Sequence, residues 1–429
     1  MRIFIRSFGC SANLADGEVM TGCLVKAGHE VVGEACNADL AICNTCAVKG
    51  STENRMISVL KRIPADRKVV VAGCLPLINL ERLGREVRFD GIVGPAAGSG
   101  IVDVVRRVFD GERVIDLDEA LSVKPDLMLP RIRSNSLISI IPASYGCLGS
   151  CAYCCVIFAR GNLRSYSVEE VVERVRKDLD QGVREFWITS QDTASYGRDR
   201  GTNLAELLKA ICAIKGEFKV RVGMMTPSSV IDILEELVSA YRDSHIFRFI
   251  HLPVQSGNDR ILERMQRFYS VNDFRNVVDR FRSGLPDMTL STDVICGFPG
   301  ESERAFEETL HLISEVKPDT VNVSKFLPRP KTLAAKMAAE FVPLSETKRR
   351  SGKVTRLFRK VAFERNQHWI GWTGDVLVDE AGKISGSWIG RNFAYKPIIV
   401  KSGLRLLGRN LRVRVVRAFS TFLEADIAE

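Results

Sequence analysis

The sequence predicts an α/β chain in three parts, and three observations predict it. Short apolar strands alternate with helical stretches through residues 1–125. A βα rhythm recurs about six times across residues 133–326. From residue 366 onward, short strands follow one another between Gly, Asn and Asp turns. The expectation is an N-terminal Rossmann-like parallel-sheet domain over 1–125, a central partial βα barrel over 133–365 and a small all-β barrel over 366–429.

In the first part, "RIFIRSFGC" reads as a strand ahead of a helix around Leu14–Ala27, and "DLAICNTC" as a strand ahead of a helix over Val48–Ile63. "KVVVAGC" reads as a strand followed by a turn with Pro76. Cys10, Cys46 and Cys74 each fall just past the carboxyl end of one of these strands. Loops from neighbouring parallel strands converge at that edge, which is where open α/β sheets bind ligands. One such cysteine would read as buried and inert. Three at equivalent strand ends are expected to meet in space.

In the second part the candidate strands are "SLISIIPAS", "REFWITS", "FKVRVGM", "IFRFIHL", "MTLSTDVI" and "TVNVSKF", with helical patterns such as Val168–Gln181 and Leu204–Ile214 between them. Their carboxyl ends carry "SQDTASYG", "MMTPSS", "PVQSG" and "CGFPGE", the polar and glycine-rich loops expected where a βα barrel does its chemistry. In the third part, "TGDVLVDEAGKISGSWIGRNFAYKPIIV" and "GRNLRVRVVRAFSTFLEADIAE" read as strands of a barrel on the scale of single-stranded nucleic-acid modules.

Composition narrows the partners. The 429 residues include 61 Lys and Arg against 52 Asp and Glu, a net charge of +9. Between Lys325 and Arg365, twelve basic residues face three Glu, so this one segment carries a surplus equal to the whole excess. Such a stretch favours a polyanion. No apolar run approaches the roughly 20 residues needed to span a bilayer, and "MRIFIRSFGC" has no cleavage-site pattern. A cytoplasmic protein without a membrane partner is expected. Twelve cysteines in a reducing compartment argue for metal binding or catalysis and against a disulfide framework.

"GCLGSCAYCCVIFARG" (Gly146–Gly161) spaces Cys147, Cys151 and Cys154 as C-x3-C-x2-C, with no histidine nearby. Thiolates are soft ligands that select zinc, Cu(I) or iron–sulfur clusters. Structural zinc takes a closed set of four. Three cysteines instead hold a four-iron cluster and leave one iron free for an outside ligand, the open position that a catalytic site keeps. Cys155 adjoins Cys154 and cannot easily ligate the same cluster. Cys43 and Cys46 form C-x2-C, a spacing also found in redox pairs, but Cys43 reads as a buried strand residue. Cys23, Cys36, Cys212 and Cys296 read as packing.

With Tyr153 before its last cysteine, this spacing resembles the signature of radical S-adenosylmethionine enzymes. "SFGC", "NTCAV" and "AGCLP" extend the resemblance to the methylthiotransferases, over essentially the whole chain. That resemblance implies a second cluster on Cys10, Cys46 and Cys74. All six cysteines would then be metal-binding and catalytic, holding two [4Fe-4S] clusters that work with S-adenosylmethionine. It also implies an electron donor such as a ferredoxin or flavodoxin, a sulfur donor left unspecified, and a C-terminal RNA-binding barrel called TRAM.

"ARGNLRSY", "SQDTASYGRDRGTNL", "HLPVQSGNDRILERMQR", "STDVICGFPGE" and "GRNFAYKP" look like the archaeal and eukaryotic MtaB-type group. That group places a methylthio group on C2 of N6-threonylcarbamoyladenosine, beside the tRNA anticodon. One cofactor molecule would methylate sulfur at the N-terminal cluster, and a second would supply the radical. The alternatives are a RimO-type enzyme acting on a ribosomal-protein aspartate and a non-catalytic RNA-binding protein with structural zinc. For the cofactor, the resemblance and the strand ends point to Tyr153, Ser190, Gln191, Arg221, Gln255 and Phe298. For RNA, the terminal barrel offers Arg391, Tyr395 and Lys396 as cations and a stacking ring.

Overall fold

The computed structural model describes residues 1–48, 50–117 and 121–428. Its first sheet is parallel throughout, in the order Glu30–Val32, Arg2–Ser7, Leu40–Thr45, Lys68–Gly73, Gly91–Val93, Val114–Asp116. Leu40–Thr45 is buried at every position, as expected for a central strand covered on both faces. Winding reverses between Arg2–Ser7 and Leu40–Thr45, and a crevice opens at that switch point outside the carboxyl ends of the strands. The helix Ser11–Lys26 starts directly after Cys10. After Cys74, where a turn is expected, the chain forms the helix Leu75–Glu86. Pro76 sits in its first turn, where a missing N–H leaves no helical bond unmade.

The central part holds six parallel strands as two sheets of three: Lys219–Val222, Glu185–Thr189 and Ile138–Pro142, then Phe249–His251, Thr289–Cys296 and Thr320–Lys325. A bridge between Val220 and Ile246 links them into an incomplete barrel. The outer helices start where the side chains dictate. Ser167 with Glu170, and Ser270 with Asp273, form reciprocal capping boxes ahead of Val168–Asp180 and Val271–Gly284. Their apolar faces bury Val171, Val175, Phe274, Val278 and Phe281 against Phe186, Ile188, Val220 and Leu290.

The basic stretch becomes the helix Leu344–Gln367, and many of its charges are occupied within the fold. Arg350 pairs with Glu301 at 2.8 Å, Arg349 with Glu303 and Glu346, and Arg365 with Asp319 at 3.2 Å. The strands Thr373–Ala381, Ser387–Arg391, Pro397–Lys401, Leu423–Ile427 and Asn410–Ala418 then close into a five-membered barrel. Among the described residues no helix is long and apolar enough to cross a membrane.

The first two parts are joined by a buried charge. Arg160, which follows the cysteine-rich loop, donates to Asp16 of the helix Ser11–Lys26 at 2.6 Å, and Tyr145 donates to the same carboxylate at 2.7 Å. Removing one member of a buried pair strands the other. Asp16→Ala should therefore cost about 3–5 kcal/mol, measured as an earlier first transition in denaturant. Asp16→Asn, which keeps an acceptor for Tyr145, should cost less.

Candidate functional site: two thiol trios on one cavity

Cys10 and Cys46 end strands on either side of the switch point, and Cys74 ends the next strand along. Gly9 makes the close approach possible. It turns with φ +102°, and a Cβ there would stand 2.7 Å from Cys46 Sγ. Asn13 then clamps the loops. Its Nδ2 donates to Phe8 O at 2.9 Å and to Thr45 O at 2.7 Å, fixing the chain ahead of Cys10 and Cys46. Its Oδ1 accepts from Cys74 Sγ at 3.6 Å and from Arg160 Nη2 at 2.7 Å. Burial pushes the Cys46 thiol up to about 11 and Cys74 up to about 12, the latter in spite of the nearby Arg160. These are poor nucleophiles at neutral pH. They become thiolates when a metal takes the place of the proton.

The second trio lies on the loop after the first barrel strand. Gly146 (φ +77°) permits the turn, since a Cβ there would meet Asn162 O at 1.9 Å. Each sulfur accepts one N–H. Gly149 N donates to Cys147 at 3.2 Å, Val156 N to Cys154 at 3.4 Å, and Arg267 Nη1 to Cys151 at 3.3 Å. Hydrogen bonds of this kind tune a cluster's potential through its sulfurs. Arg267 is itself fixed by Pro253 O and by Tyr269, whose hydroxyl donates to Val254 O. Burial pushes Cys147 up to about 11 and Cys154 higher still.

All six cysteines line one cavity of about 820 Å³, toward the upper end of the range for ligand sites. Ser190 Oγ, Gln191 Oε1 and Arg221 Nε are buried in its wall with no protein partner. Gln255, also on the wall, holds φ +69°, a strained conformation for a side chain of its size. Zinc–sulfur bonds of roughly 2.3 Å would draw three sulfurs to within about 4 Å of one another. Among the described residues neither trio closes to within 4.8 Å. Three soft thiol donors on each side suit a four-iron cluster that leaves one iron to an outside ligand, so the donor sets fit that group.

Of the six residues expected to hold the cofactor, Tyr153, Ser190, Gln191, Arg221 and Gln255 line the cavity. Phe298 does not. It is buried behind Tyr153 with ring centres 6.4 Å apart, packed with Ile261, Met265 and Ala305. In the same loop Glu301 accepts from Gly297 N at 2.8 Å and pairs with Arg350 of the basic helix.

The expected RNA contacts need correcting too. Lys396 is buried on Asp319 at 2.8 Å, and Arg391 pairs with Asp379 and Glu380. Tyr395 packs on Phe247 and Phe249 and donates to Glu185 at 3.2 Å. Lys396 and Tyr395 fasten the terminal barrel to the central one, while both partners of Arg391 lie within the terminal barrel itself. Exposed cations of that barrel lie elsewhere, at Lys401, Arg412 and Arg417.

Sequence reasoning missed Arg160, Arg267, Trp187 and the pair His251–Asp293 (Nε2 to Oδ1, 2.9 Å), all of which line the cavity. Arg160 reaches Asn13 and Asp16, Arg267 reaches Cys151 and His251 reaches Asp293 across long stretches of chain, so no local motif announces these contacts.

An incomplete βα barrel with C-x3-C-x2-C on its first loop defines a radical S-adenosylmethionine enzyme. The chain matches the radical SAM superfamily over residues 141–313, the family described as uncharacterized protein family UPF0004 over 2–94 and the TRAM domain over 369–428. It is 40% identical over 429 residues to a probable threonylcarbamoyladenosine tRNA methylthiotransferase of Pyrococcus abyssi, covering 100% of this chain and 99% of that protein. It is 36% identical to the human threonylcarbamoyladenosine tRNA methylthiotransferase, covering 99% of this chain and 74% of the human protein. The cobalamin- and cluster-bound radical methyltransferase TsrM of Kitasatospora setae shares the fold, with a TM-score of 0.54 at 14% identity over 78% of this chain and 76% of that one. The chain belongs to the threonylcarbamoyladenosine tRNA methylthiotransferase family.

Cys147→Ala should remove one cluster and spare the other. About half of the iron should remain, while formation of 5′-deoxyadenosine from S-adenosylmethionine stops. Loss of all iron in that variant would contradict two independent sites.

Proposed function

We propose that this protein methylthiolates C2 of N6-threonylcarbamoyladenosine next to the tRNA anticodon, consuming two molecules of S-adenosylmethionine. The observation that carries the reading is that both trios open onto a single cavity. Each cluster would keep one iron free of protein ligand. Cys147, Cys151 and Cys154 would hold the cluster whose electron cleaves the cofactor, and Cys10, Cys46 and Cys74 would hold the one at which sulfur is delivered.

The chain's own residues do the rest. Tyr153, Ser190 and Gln191 form the wall beside the radical trio and would hold the cofactor there, the last two through buried oxygens that have no protein partner. Trp187 offers an aromatic face to the base. Arg160, Asn13 and Asp16 hold the N-terminal trio against the radical trio, so that sulfur and radical act on the same carbon. Cavity walls of mainly apolar atoms keep water from the radical.

Electrons would come from a ferredoxin or flavodoxin, and the reaction would take place in the cytoplasm. Phe268, 75% exposed while lining the cavity, stands at the rim where a nucleotide beside the target would stack.

The direct test is mass spectrometry of tRNA nucleosides from a host lacking the gene. The methylthio nucleoside should vanish and threonylcarbamoyladenosine should accumulate. Unchanged methylthio-threonylcarbamoyladenosine would remove the assignment. Phe268→Ala should lower kcat/KM on a stem–loop RNA about tenfold or more, from a stacking contribution of roughly 1–3 kcal/mol. It should leave RNA-independent cofactor cleavage unchanged.

A further inference from the structure

Three other arginines and a histidine of the cavity have protein partners. Arg160 pairs with Asp16, Arg198 with Asp232 and His251 with Asp293, while Arg267 serves Cys151, Pro253 and Tyr269. Arg221 is different. Among the described residues no carboxylate pairs with it, and its Nε is buried without an acceptor.

What surrounds it is aromatic. The guanidinium carbon lies 5.0 Å from the ring centre of Trp187, 5.0 Å from Phe249 and 5.4 Å from Tyr395. Aromatic faces stabilise a cation while leaving its N–H groups free. A planar fork of free N–H groups on a cavity wall is a receptor for a carboxylate.

The third ring comes from another domain. Tyr395 belongs to the loop between Ser387–Arg391 and Pro397–Lys401 of the terminal barrel, and its backbone is held at φ +59°. Its ring packs on Phe247 and Phe249, its hydroxyl reaches Glu185, and Arg391 stands 4.8 Å from its ring centre. A side chain gripped on every side is suited to holding another in place.

We propose that Tyr395 is a positioning residue: the terminal barrel backs the cavity wall behind Arg221, and the Tyr395 ring fixes Arg221 as the receptor for a ligand carboxylate. The inference rests on the ligands of the proposed function, two of which carry that group, namely the methionyl end of S-adenosylmethionine and the threonyl end of the modified base. The recognition chemistry is the same for both.

The test uses full-length holoenzyme with Arg221→Gln, Arg221→Lys, Tyr395→Leu and Tyr395→Phe. One arm measures the Kd of S-adenosylmethionine against its decarboxylated analogue. The other measures kcat/KM on a stem–loop RNA carrying threonylcarbamoyladenosine against the same RNA carrying its methyl ester. In one arm, Arg221→Gln and Tyr395→Leu should lose about tenfold to hundredfold on the carboxylate ligand and little on its neutral counterpart.

Arg221→Lys, which keeps the charge and loses the fork, should fall between wild type and Arg221→Gln. Tyr395→Phe, which keeps the ring, should restore the wild-type preference. The arm that responds names the carboxylate. Equal losses on charged and neutral ligands in Tyr395→Leu would overturn the proposal, as would an unchanged preference. If wild type modifies no RNA while the cofactor arm responds, the substrate reading falls and the role of Tyr395 stands.

Discussion

Arg160 is the contact on which the rest of the site depends. It emerges from the loop that carries the radical trio and donates to Asn13 and Asp16 of the N-terminal helix. Asn13 in turn holds the loops that carry Cys10 and Cys46 and accepts from Cys74. One buried guanidinium thus sets the distance between six thiols drawn from two sheets. A buried ion pair is weak evidence for stability, because desolvation offsets most of its Coulombic gain. Its value here is geometric, because two clusters that serve one carbon must share one cavity and cannot drift.

Parallel sheets make this arrangement accessible. Each sheet delivers its loops to one edge, and the two edges face each other across the cavity. The N-terminal sheet contributes at its switch point and the central barrel at its open mouth, so each of the six thiols follows the carboxyl end of a strand. Strand packing therefore positions the chemistry, and the hydrogen bonds from Gly149, Val156 and Arg267 to sulfur adjust it.

Much of this was legible in the sequence, for physical reasons. Strands such as "DLAICNTC" and "KVVVAGC" announce themselves by β-branched and apolar runs, and a cysteine at the end of each brings the thiols to one sheet edge without any tertiary information. Cap residues such as Ser167 and Ser270 mark helix starts in the same local way. What stayed hidden depends on contacts between distant residues. Phe298 sits in a polar, glycine-rich loop, yet its ring is buried behind Tyr153 among Ile261, Met265 and Ala305. Arg391, Tyr395 and Lys396 have the composition of an RNA surface, and only the folded barrel docked on the central part reveals that its own Asp379, together with Glu185 and Asp319 across the interface, already occupy them. Charge counted along a chain does not reveal which charges are already paired.

The central claim is that both trios hold four-iron clusters at one shared cavity, each with an iron left open. Electron paramagnetic resonance on anaerobically reconstituted, dithionite-reduced wild-type protein tests it most directly, with iron quantified on the same sample. The account predicts about eight irons per chain and two reduced clusters whose spectra show mutual magnetic coupling, with added S-adenosylmethionine changing the signal of the cluster on Cys147, Cys151 and Cys154. About four irons per chain, or two signals that add as if isolated, would contradict it.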